Sequence, residues 1–122
     1  MIYLATPFTR YPFGPEAAFI EASRIAGALV KRGLNIFSPI AHSYPLSLYG
    51  GLDAMDEELW TRVDAAYLDL CSELYIARME GWRESKGMRH EIQEFIAMGK
   101  PVSFVYPATL KITRALTAEV AA

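Results

Sequence analysis

Cysteine, histidine and long apolar runs are all scarce in this chain, and each scarcity removes a class of chemistry. One cysteine, Cys71, has no partner for an internal disulfide. It lies in an apolar helical pattern with Tyr67, Leu68, Leu70 and Leu74, which reads as a reduced, buried thiol. Of the two histidines, His90 precedes Glu91 as in a zinc-protease H-E-x-x-H, but the second metal-binding position is Glu94, so no metal is expected. No G-x-G-x-x-G follows the first apolar run and no G-x-x-x-x-G-K-[ST] occurs, which argues against dinucleotide and P-loop chemistry, and no cofactor is expected. No apolar run approaches the ~20 residues of a membrane span. The start, MIYLATPF, goes directly into strand-like residues without a basic leader, so the expectation is a cytoplasmic protein with no membrane partner. The net charge is only −2, with twelve Lys and Arg scattered among fourteen acids. That leaves no footprint for nucleic acid, whereas a small or partly anionic ligand is compatible.

What is present is enough apolar material for one core. With 52% hydrophobic residues over 122 positions, residues 1–122 read as a single domain. Four short runs rich in β-branched and aromatic residues read as buried strands: Ile2 to Ala5, Asn35 to Ser38, Leu74 to Ala77 and Val102 to Val105. Between them lie helical patterns from Pro15 to Arg32, from Asp53 to about Ser72 and from Met88 to Met98, with a further helix expected from about Ala108. The order βαβαβαβ predicts an α/β fold: a single doubly wound, flavodoxin- or Rossmann-like domain with a mainly parallel sheet of four to five strands and helices on both faces.

In such a sheet ligands bind beyond the carboxyl ends of the strands. The long polar and aromatic segments follow strands here: Thr6 to Pro15, Pro39 to Pro45, and Met79 onward into GWRESKGMRHE. The turns at the opposite end, Arg32-Gly33-Leu34 and Gly99-Lys100-Pro101, are minimal. If Met88, Ile92, Phe95 and Ile96 form a buried stripe, Glu91 sits at its border, about one turn inside a helix that starts at the strand ends. Partial burial raises a carboxyl pKa, and a nearby helix N-terminus opposes the rise. Pattern alone also admits a boundary glutamate that reaches out to water. Ser85 and Gly87 offer a hydroxyl and free amides at the helix start, suited either to an anion or to a plain N-cap. Trp60 and Tyr67, seven apart, read as buried helix face, while Trp82, flanked by polar residues, reads equally as a base-stacking ring or a packing one. His42, in a segment expected to be loop, reads as a ligand contact.

Together, Ile-Tyr-x-Ala at 2–5, S-P-I-x-H-S at 38–43, W-x-x-x-D at 60–64, G-W-x-x-S-x-G-x-x-x-E at 81–91 and G-K-P-V at 99–102 resemble the nucleoside 2-deoxyribosyltransferase superfamily. The likeness is greatest to a short branch related to the 2'-deoxynucleoside 5'-monophosphate N-glycosidases. The resemblance implies that Glu91 is a nucleophile toward the anomeric carbon, that Tyr3 orients it, and that Asp64 is an acid near the sugar or base. It also implies that Ser85 and Gly87 hold a 5'-phosphate, with His42 beside base or phosphate. Classical transferases of the superfamily carry Asp where this chain has Ser85, and a serine, unlike an aspartate, does not repel phosphate. The first loop lacks the Gly-rich character of the nucleotide hydrolases, and Thr6, Thr9 and Arg10 are the candidates to replace it. Sites in the superfamily borrow a residue from a neighbouring subunit, so a homo-oligomer, dimer or tetramer, is implied. The expected activity is cleavage of the base–sugar bond of a nucleoside 5'-monophosphate or nucleoside; a non-catalytic nucleotide-binding module of the same fold is the alternative.

Overall fold

The computed structural model describes residues 1–120. One five-stranded sheet has the order β2-β1-β3-β4-β5. The strands are β1 (Ile2–Ala5), β2 (Ile36–Phe37), β3 (Glu73–Ala77), β4 (Val102–Val105) and β5 (Ile112–Arg114), all parallel except β5, which runs antiparallel to β4. The α/β doubly wound expectation holds. The interior strand β1 is buried along its whole length, and its alternate residues face opposite ways. Ile2 and Leu4 join Ile25 and Leu29 of α1 (Pro15–Lys31) in one core. Tyr3 and Ala5 join the second core with Leu68 of α3 (Glu57–Leu70) and Met88, Ile92 and Phe95 of α4 (Lys86–Ala97). Cys71 is buried in that second core, as its pattern indicates.

Two stretches differ from expectation. Pro39 to Pro45 is not loop but the first half of α2 (Pro39–Gly50). Ser38 caps this helix by accepting a hydrogen bond from the Ala41 amide at 3.2 Å, and Pro39 fits the first turn, where its missing N–H is not needed. Pro45 inside the helix masks it in sequence, because an internal proline ordinarily argues against one. The chain leaves α2 through Gly51, in the left-handed region at φ +73°. The second departure is the helix expected from about Ala108. The chain turns back there, with the Leu110 amide bonded to the Tyr106 carbonyl at 2.7 Å, and the β-branched pair Ile112-Thr113 enters the sheet edge as β5. Helix resumes only as the single turn α5 (Thr117–Val120), and the rest of the expected helix lies outside the described residues.

β1 stands between β2 and β3, so successive connections leave it toward opposite sides and open a crevice at the carboxyl ends of β1 and β3. The loops that follow these two strands meet at Gly81. A Cβ added there, at φ +86°, would lie 2.2 Å from the carbonyl oxygen of Arg10. Only a residue without a side chain lets the two loops close on each other. Gly81→Ala is therefore expected to lower stability by about 2 kcal/mol or more, from combined backbone strain and collision. Urea denaturation checks this; an unchanged midpoint would show that the loops do not meet as described.

Candidate active site

The crevice holds a cavity of about 350 Å³. Its floor comes from β1 and the segment after it (Tyr3, Thr6), one wall from α2 (Ser43, Tyr44), another from α3 (Trp60, Asp64), and its end from the start of α4 (Ser85, Glu91). The size falls within the range of small-molecule sites.

Tyr3 is fully buried, its ring held between Phe37 and Phe95 at centroid distances of 5.6 and 5.7 Å. Its hydroxyl donates a hydrogen bond to Glu91 Oε2. Burial, together with the charges of Glu91 and Asp64, pushes the tyrosine far above its ordinary pKa, so it stays protonated and remains a donor. Glu91 is partly buried and borders the cavity. Loss of hydration raises its pKa to about 8; the Tyr3 hydrogen bond opposes the rise and the Asp64 charge adds to it. Asp64 is raised to about 6 by burial. Between these two values the pair carries one proton on average.

Two oxygens at the cavity are buried without a hydrogen-bond partner among the described residues, Thr6 Oγ1 and Asp64 Oδ1. Unpaired buried polar atoms cost free energy, and a ligand hydroxyl or amine would satisfy them. Thr6 itself is 4% exposed.

Ser85 also lines the cavity, but its Oγ accepts from the Met88 amide at 3.2 Å, so it is the N-cap of α4. Its hydroxyl proton is still available to a ligand. Gly87 borders the cavity with open space where a Cβ would stand.

Three of the residues put forward from sequence stand apart from the cavity lining. Arg10 is exposed, its backbone pressed against Gly81. His42 is on α2 rather than in a loop, exposed and flanking the stacked Phe37 and Tyr67 rings at 5.8 and 5.9 Å. Trp82 turns the other way, edge-on to Phe104 at 5.6 Å and between the Arg78 and Arg83 guanidinium groups. It packs on the protein. Trp60, expected in the buried helix face, instead borders the cavity. Sequence reasoning missed it because helical spacing does not say what covers a face, and missed Tyr44 and Ser43 because α2 was read as loop. The Ser38-Pro39 pair, a cap followed by a first-turn proline, was the available signal for that helix.

Among the described residues no three His, Cys, Asp or Glu side chains are grouped to hold a metal ion, and no helix is long and apolar enough to cross a membrane.

Fold and site together define an α/β domain with a tyrosine-held carboxylate and a second carboxylate in a strand-end cavity. The chain belongs to the family described as a domain of unknown function, DUF1937, whose model matches residues 1–107 and so spans every cavity residue named above. No curated protein matches it.

The raised pKa of Glu91 links to stability with a definite sign. Between about pH 4.5 and about pH 8 the folded protein holds a proton that the unfolded chain has released, so stability falls as pH rises through this window and then levels off. Glu91→Gln keeps an acceptor for Tyr3 and has no proton to lose. Its melting temperature is expected to exceed that of wild type at pH 8, by the equivalent of a few kcal/mol in order of magnitude, with the difference shrinking toward pH 5. Equal temperatures at pH 8 would mean that Glu91 is not held out of water.

Proposed function

We propose that the protein cleaves the N-glycosidic bond of a nucleoside 5'-monophosphate or nucleoside, as an N-glycosidase or deoxyribosyltransferase, through a covalent ester on Glu91. The observation that carries the reading is the Tyr3–Glu91 hydrogen bond at the base of a cavity that also contains Asp64. A surface glutamate has no need of a buried tyrosine 88 positions away in sequence to fix its rotamer.

In this reading Tyr3 holds Oε2, and Oε1 attacks the anomeric carbon. The electrons of the breaking C–N bond pass to the base nitrogen, which takes a proton from Asp64. Water then attacks the same carbon, gives its proton to Asp64 and releases Glu91; a second base in place of water gives transfer. The chemistry needs Glu91 ionised and Asp64 protonated; between about pH 6 and about pH 8 the pair holds one proton, which rests mainly on Glu91, so the reactive form is the minor one in which that proton sits on Asp64. Ser85, Gly87 and the first amides of α4 are where a 5'-phosphate would rest. Self-association into a dimer or tetramer belongs to the same reading.

The test is incubation with a panel of ribo- and deoxyribonucleotides and nucleosides, following free base by chromatography. At least one member is expected to be cleaved, with a bell-shaped rate profile whose limbs fall near pH 6 and pH 8. Glu91→Ala should lower the rate by about three orders of magnitude, and Tyr3→Phe by about ten- to a hundredfold. A panel member that binds without being cleaved would leave the non-catalytic nucleotide-binding module as the reading. Cleavage by Glu91→Ala at the wild-type rate would remove Glu91 from the mechanism.

A further inference from the structure

The two tryptophans have opposite surroundings, and the one that borders the cavity is already oriented. The Trp60 indole N–H donates to the Asp53 carbonyl at 2.9 Å, which fixes the ring while leaving it only partly buried. Trp60 is four residues before Asp64, so the two side chains project from the same face of α3 about 6 Å apart along its axis. Glu57, three residues before Trp60, borders the same cavity. Along the cavity α3 thus presents an acid, an aromatic ring and a second acid in a row. From α2, Tyr44 adds another immobilised ring, stacked on Phe19 at 4.8 Å and edge-on to Phe8 at 5.9 Å.

We infer that this row is the leaving-group subsite: Trp60 is the platform on which a planar heterocyclic base stacks, and Glu57 selects bases that carry an exocyclic amine. The inference rests on the glycosidase reading, because Asp64 fixes where the leaving nitrogen must be. A ring whose nitrogen is within reach of Asp64 lies over the indole one turn away. Its far edge then points toward Glu57. A carboxylate accepts hydrogen bonds and donates none, so it favours an amino edge, as in adenine or cytosine, over an oxo edge, as in hypoxanthine or uracil. Two rings held by their own contacts lose little freedom when a base enters, which suits them to stacking.

Trp60 is itself the probe. The protein has two tryptophans, so Trp82→Phe leaves Trp60 as the only indole emitter. Titrating that variant with free adenine and free hypoxanthine should give saturable quenching, with adenine bound about tenfold more tightly. Glu57→Gln should bring the two within about twofold. By calorimetry on the otherwise unaltered protein, Trp60→Leu should weaken adenine binding at least about fivefold, and Trp60→Phe should recover part of the loss. Absence of saturable quenching by either base, in a variant whose circular dichroism matches wild type, would overturn the platform. Equal affinities that Glu57→Gln does not change would overturn the amine selection. Quenching without cleavage of any panel member would count against the glycosidase reading and leave the stacking platform standing; cleavage that depends on Glu91 but not on Trp60 would do the reverse.

Discussion

The hydrogen bond from Tyr3 to Glu91 joins the interior strand β1 to the helix that closes the carboxyl end of the sheet, and much of the molecule is arranged around it. For the hydroxyl to reach the carboxylate, β1 must present Tyr3 on the face covered by α4, and α4 must begin at the strand ends so that its second turn passes over β1. Phe37 and Phe95 fix the ring, Ser85 fixes where the helix starts, and Gly81 lets the turn before it lie against the Arg10 backbone. Each of these contacts is unremarkable alone. Together they leave the carboxylate few rotamers, as the proposed reaction requires.

The same packing withholds water from the pair. Burial raises both carboxyl groups, and the Asp64 charge raises Glu91 further. Such a site is destabilising for the fold, since the hydration lost by Glu91, Asp64 and Thr6 is only partly replaced from within the protein. The two-sided core must offset that loss. Buried aromatic and aliphatic side chains on both faces of β1 supply the necessary apolar contact.

Much of this was legible in the residues. The four parallel strands, three of the helices and the choice of edge follow from runs of β-branched residues, from 3.6-residue periodicity and from the contrast between long and minimal turns. Glu91, Tyr3, Asp64, Ser85, Gly87 and Thr6 do meet at one cavity. Less was legible where local rules compete. Pro45 argued against a helix that tertiary contact with α1 and the Ser38 cap nevertheless support. The tail after Tyr106 looked helical by composition, but pairing with the open edge of β4 favours a strand, because an unpaired edge leaves backbone groups unsatisfied.

What the sequence determined by itself was periodicity and punctuation: which residues alternate, where helices begin and end, and which carboxylate sits at the margin of an apolar stripe. Only the tertiary structure decided what covers each face. Trp60, which reads from sequence as buried helix face, borders the cavity, whereas Trp82, which reads equally as a stacking or a packing ring, packs against Phe104 of β4 beside two arginines. Local pattern encodes a side chain's direction relative to its own backbone. Its neighbours come from segments far away in sequence, and it is they that turn a direction into a core contact or a site.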